Sequence, residues 1–108
     1  MPGLVSIFHR ITGMVMFLFL IPLTLLVLQA SLQSEASFAT WKGYFANPIV
    51  KVIVIGFVWS YLHHFFAGIR YLLLDLQIGV DKAPAQASAK VVLTVGLLAT
   101  AIFAVRIW

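Results

Sequence analysis

Three apolar stretches, residues 11–32, 49–76 and 91–108, leave this chain few ways to fold in water. Each reaches or approaches the roughly 20 residues a helix needs to cross a hydrocarbon core of about 30 Å. None shows the alternation of a barrel strand. The expectation is therefore an all-α integral membrane chain, with residues 1–108 forming a single domain of three spanning helices. Composition agrees, because 9% of residues are charged against roughly a quarter in ordinary globular chains.

The segment HRITGMVMFLFLIPLTLLVLQAS places basic residues before an apolar run and small residues after it, as a signal peptide does. Its apolar run is longer than the roughly 7 to 15 residues of a secretory core, and two more apolar segments follow. The first segment is therefore read as retained. The chain has no cysteine, so a redox centre bound to it must rest on nitrogen or oxygen ligands.

Lysine and arginine in the connecting segments set the expected orientation. With the N-terminus cytoplasmic, Arg10, Arg70, Lys82 and Lys90 lie toward that side and Lys42, Lys51 and Arg106 toward the other. The net charge of +4 suits anionic lipid headgroups or acidic partners, and nothing in it points to nucleic acid.

Between the first two helices, QSEASFATWKGYFANP reads as a turn-rich connection in which Trp41 and Tyr44 anchor at the interface. The second connection, QIGVDKAPAQASAK, is rich in small residues and holds Pro84. Helix two should be roughly 42 Å long at 1.5 Å per residue, so it tilts or projects from the membrane. Pro22 is expected to kink helix one rather than end it.

Ionisable residues inside such a chain are costly and mark function. They concentrate in SIFHRITG, residues 6–13, and in SYLHHFFAGIRYLLLD, residues 60–75. Residues four apart share a helix face, so Gly56, Ser60, His64 and Gly68 form a row. Two readings of that row are open. It is a shallow groove in which a flat macrocycle meets an imidazole, or a close helix contact of the small-residue type with His64 hydrogen-bonded across it. His63 has bulkier neighbours, Trp59, Phe66 and Arg70, and is assigned to a hydrogen bond with a neighbouring helix or to headgroup contact. A ligating His64 needs its other nitrogen held, and the Ser60 carbonyl one turn back is the expected acceptor. Arg70 and Asp75 can snorkel as an interfacial pair or balance an acidic group between helices. Ser6 and Arg10 share a face at the start of helix one, where Pro2 permits the helix to begin. On spacing alone the favoured reading of His9 and Arg10 is simple anchoring at the headgroups, because basic residues flank most spanning helices.

These two segments resemble the two signatures of the succinate dehydrogenase cytochrome b family, the larger membrane anchor of succinate:quinone oxidoreductase. Ser6, His9, Arg10 and Thr12 match the first signature, and His64, Gly68, Ile69, Arg70 and Asp75 the second. The likeness extends over essentially the whole chain. It implies a subunit of respiratory complex II in a bacterial-type cytoplasmic membrane, not catalytic alone. Three helices would pack with a second small membrane anchor around one haem b. His64 would be an axial ligand of the haem iron, and the companion would supply the other. His9, Arg10, Arg70, Gly68 and Ser60 would form the haem and propionate environment, while Ser6 and Arg10 would line the ubiquinone site. FAD and iron-sulfur clusters would reside in the flavoprotein and iron-sulfur partner subunits.

Two departures accompany the resemblance. Tyr71 stands where the family usually has histidine, and the chain begins MPGLV without the usual upstream Arg-Pro segment. The second departure leads to the expectation of a trimmed start or of less contact with the soluble partner. Three alternatives stand beside this reading: a quinol:fumarate reductase anchor, a haem-free structural anchor, and a small proton or ion conductor using His63 and His64.

Overall fold

The computed structural model describes residues 2–108. Helix α1 spans Pro2–Val15 and runs through a π-helical segment, Met16–Leu20, into α2, Ile21–Ser31. Then follow α3 (Glu35–Phe45), α4 (Pro48–Asp75) and α5 (Lys82–Ile107). Three helices are long and apolar enough to cross a membrane: Pro2–Ser31, Pro48–Asp75 and Lys82–Ile107. The middle one matches its expected span within one residue. The outer two start nine residues earlier than the apolar stretches, because prolines in the first turn, Pro2 and Pro84, remove N–H groups that no helix could satisfy there.

Pro22 neither ends nor abruptly breaks the first span. Its missing N–H and its ring disturb the turn before it. That turn widens, and the Ile21 N–H bonds to the Met16 carbonyl five residues back. A π segment is a common way for a helix to absorb such a disturbance.

The first connection is a correction to the turn-rich expectation, since most of it is the helix α3. Ser34 caps it, its hydroxyl accepting from the Ser37 N–H at 3.0 Å, with Glu35 in the first turn and Lys42 in the last. These charges complement the helix dipole, and the helix runs on through Gly43. Eleven residues span about 16 Å, too short to cross a bilayer. The Asn47 side chain then accepts from the Ile49 N–H at 2.8 Å and starts α4 at Pro48.

At its other end α4 stops in a Schellman turn. The Ile78 N–H bonds to the Leu73 carbonyl at 2.9 Å and the Gln77 N–H to that of Leu74 at 3.0 Å. Gln77 takes the left-handed conformation this turn requires, at φ 61°.

Packing joins α4 to α5 along their length and α1 to α4, while α3 covers α2. The seam is narrow and made of small or polar side chains: Val5 and Thr12 on α1, Ser60, His63, Ala67 and Arg70 on α4, and Ala89, Val92, Gly96 and Thr100 on α5. Spacings of three and four keep each set on one face. Large apolar residues such as Phe17, Leu25, Ile49 and Val105 point outward. Lipid is as apolar as leucine, so close backbone approach rather than apolar burial decides what lies inside.

Candidate functional site

Helices α1 and α4 cross antiparallel so that each presents a glycine to the other's histidine. A Cβ on Gly68 would lie 3.8 Å from His9 Nε2, and one on Gly13 would lie 2.9 Å from His64 Cε1. The two imidazoles stack with centroids 4.1 Å apart and planes within 6°. Tyr71 leans on the outer ring, its centroid 5.0 Å from that of His9. Helix α1 packs over the part of the row that holds His64 and Gly68, as in the close-contact reading, while nothing lies within 4 Å of a Cβ placed on Gly56.

The protonation of His64 follows from its neighbours. Nδ1 lies 3.0 Å from the His9 carbonyl and 3.3 Å from Thr12 Oγ1. The carbonyl can only accept, so Nδ1 carries the proton and Nε2 is left with its lone pair. Thr12 agrees, because its single hydroxyl proton is directed to the Phe8 carbonyl at 2.7 Å, leaving its oxygen to accept from His64. The acceptor expected from sequence was the Ser60 carbonyl. The structure corrects this to the His9 carbonyl, reached across the helix contact.

His64 is half-buried at the rim of the bundle, whereas His63 is fully buried in its seam. The His63 ring stacks on Trp59 at 5.2 Å and meets Phe8 edge-on at 5.7 Å. Neither of its nitrogens makes a well-formed hydrogen bond, although the Val5 carbonyl is on the side of α1 it faces. His63 thus packs among aromatic rings inside the seam, where it neither reaches headgroups nor makes the well-formed hydrogen bond to a neighbouring helix that was expected.

Ser60 is also buried, its hydroxyl donating to the Gly56 carbonyl at 3.0 Å. It lies in the helix seam rather than on a surface open to a macrocycle. Arg70 turns away from the histidines. Its Nε donates to Ser88 Oγ at 2.9 Å and its Nη2 to the Ala85 carbonyl at 3.1 Å, both on α5. The expected pairing of Arg70 with Asp75 is absent among the described residues, because α5 captures the guanidinium first.

Ser6 is half-buried and Arg10 exposed. At 100° per residue they stand about 60° and 100° around α1 from His9, away from the seam side that holds Val5 and Thr12. They remain on one outward face at the same end of the bundle as the His9–His64 pair.

No group of three or more metal-ligating side chains exists among the described residues. At the cluster's rim His64 offers a metal its Nε2, in an orientation fixed by the Nδ1 bond, and the ring nitrogens of half-buried His9 make no hydrogen bond among the described residues. The residues that sequence reasoning missed are Gly13, the His9 carbonyl and the hydroxyl of Thr12 as an acceptor. Gly13 was legible in part: it lies four residues after His9 and so shares its face, but which helix that face meets is a tertiary fact.

A family model described as succinate dehydrogenase/fumarate reductase transmembrane subunit matches residues 1–103. The chain is also 31% identical over 106 residues to the succinate dehydrogenase cytochrome b556 subunit of Coxiella burnetii (strain RSA 493 / Nine Mile phase I). That alignment covers 98% of this chain and 85% of the relative.

Proposed function

The chain belongs to the succinate dehydrogenase/fumarate reductase transmembrane subunit family, and from that premise we propose how its residues serve a membrane anchor of the enzyme. Such a subunit is part of an enzyme without being catalytic alone. His64 is assigned as one axial ligand of a haem b. The observation that carries this is the state of its ring, with Nδ1–H held by the His9 carbonyl and Nε2 free at the rim. Ligating histidines depend on such a partner, which fixes the tautomer and orients the ring.

The second axial ligand is assigned to a companion anchor subunit. His9 cannot supply it, because its ring lies flat against His64 and so cannot approach the opposite side of a macrocycle. His63 is enclosed in the seam. Held by two histidines, such a haem would supply electron transfer rather than oxygen chemistry. His9 and Arg10, with Gly68 giving His9 room, are assigned to the surroundings of the haem. Ser60 acts from beneath, by letting the helices close. Arg70 is not assigned there, since its guanidinium is turned to α5, where Nε and Nη2 donate.

Ser6 and Arg10 are assigned to a ubiquinone site on the outward face of α1. A serine hydroxyl can donate to a quinone oxygen, and an arginine can stabilise the charge that develops as electrons arrive. Those electrons come from succinate oxidation in the flavoprotein and iron-sulfur subunits, which hold the FAD and the clusters. The relative's name favours succinate oxidation over fumarate reduction as the direction. The membrane is assigned as a bacterial cytoplasmic membrane with the N-terminus inside.

The test is affinity purification of the complex from its native membrane, followed by reduced-minus-oxidised visible spectra. Flavoprotein and iron-sulfur subunits should co-purify. His64→Ala should abolish or shift the low-spin b-type bands, and His63→Ala should leave their positions nearly unchanged. A colourless wild-type complex would favour a haem-free anchor or a proton conductor, and the reverse pattern for the two histidines would remove His64 as ligand.

A further inference from the structure

We propose that the groove between the end of α4 and the start of α5 binds an anionic phospholipid, with Arg70 holding the phosphate. This site lies on a different helix pair from His9 and His64 and does not depend on the haem assignment. Arg70 is 5% exposed, yet the two groups that receive its hydrogen bonds, the Ser88 hydroxyl and the Ala85 carbonyl, are neutral. No carboxylate neutralises it among the described residues. An enclosed charge without a counterion is expensive in a protein and more so near a bilayer.

A guanidinium has five N–H groups, and these two bonds leave three. Nη1 is not among the enclosed polar atoms that lack a partner, so it keeps some exposure, and Arg70 and Ser88 both line the adjoining cavity. That cavity measures about 480 Å³, and its other walls are apolar, including Phe66, Ile69, Leu73 and Val91. Ile69, Leu73 and Val91 are exposed on the outer surface of the bundle, so the cavity is open toward lipid.

Position and chemistry choose the occupant. Arg70 lies five residues before the end of α4, about 7.5 Å at 1.5 Å per residue. An arginine serving only as an anchor would extend toward water. This one is folded inward against α5 and beside an apolar trough. A phosphate supplies the missing charge through charge-assisted hydrogen bonds, and acyl chains match the walls. A free anion would match the arginine alone.

The experiment equilibrates the whole complex in bilayers of equal phosphatidylethanolamine and phosphatidylglycerol, then extracts it for intact mass measurement of retained lipid. The wild type should retain phosphatidylglycerol in preference. Arg70→Gln should lower that retention by about tenfold, the scale of one charge-assisted hydrogen bond. Because Arg70 also ties α4 to α5, Leu73→Trp serves as the second variant, narrowing the trough at an exposed position with Arg70 intact. It should lower retention while co-purification of the subunits is unchanged. Equal retention of both lipids by the wild type overturns the proposal, as does an unchanged Leu73→Trp complex. A wild type that retains neither lipid also overturns it, and points to a carboxylate of a companion subunit as the counterion.

Discussion

At the scale of single residues, the reciprocal placement of two glycines and two histidines decides what the cluster can do. Gly13 is the sharpest test, because a Cβ there would come within 2.9 Å of His64 Cε1, closer than carbon atoms tolerate. Gly13→Ala should displace the ring and loosen its bond to the His9 carbonyl, costing about 1 to 3 kcal/mol and shifting the b-type absorption without removing His64. Gly68→Leu should give a milder version through the His9 ring. An unchanged spectrum in Gly13→Ala would mean the close approach does not set the ligand. Ser6 and Arg10 call for a different measurement, since they face outward. Alanine at either should depress succinate-driven ubiquinone reduction about tenfold or more, while succinate oxidation by a soluble dye, which draws electrons upstream, stays near wild type. Equal loss of both activities would indicate failed assembly instead.

Helix ends and interruptions carry the element-scale argument. The Schellman turn after α4 uses Gln77 in the left-handed region, where a residue with a Cβ costs about 1 kcal/mol. Gln77→Gly should remove most of that cost. Glycine's larger entropy in the unfolded chain offsets part of the gain, leaving the variant about 0.5 kcal/mol more stable. A thermal melt of the purified complex, compared with wild type, checks the sign. A lower midpoint would mean that the Gln77 side chain contributes contacts that outweigh its backbone. The π segment before Pro22 belongs to the same scale. It lets one helix continue from the histidine cluster to the far side of the membrane, where α3 covers α2.

At the scale of the molecule, the proposed haem assignment calls for a second chain. His64 Nε2 lies at the bundle's rim, the His9 ring lies flat against that of His64, and His63 is enclosed. Expressed without its companion anchor, the chain should therefore show little or no low-spin spectrum, and the spectrum should appear when the two are co-expressed. Full occupancy in a demonstrated monomer would overturn the two-subunit assignment. The outward-facing apolar side chains over most of the bundle suit lipid and a partner alike.

Length and apolarity in the sequence were enough to establish three spanning helices, because a bilayer demands a run of about 20 residues whatever its neighbours are. His9, Arg10 and His64 stood out for a related reason, since a polar group at membrane depth is conspicuous in any apolar background. The starts of α1 and α5 were not legible from apolar runs alone, because helix continues past the hydrocarbon wherever caps and first-turn prolines allow it. Helix α3 was hidden by its polar sequence, although Ser34, Glu35 and Lys42 carry its end signals. The partners of each polar group were decided only by the tertiary structure. The His9 carbonyl rather than that of Ser60 holds His64, α5 rather than Asp75 takes Arg70, and the seam runs through His63 instead of His64. Periodicity says which residues share a face, but the rotation of one helix against another depends on where small residues let backbones approach, and that requires all three helices at once.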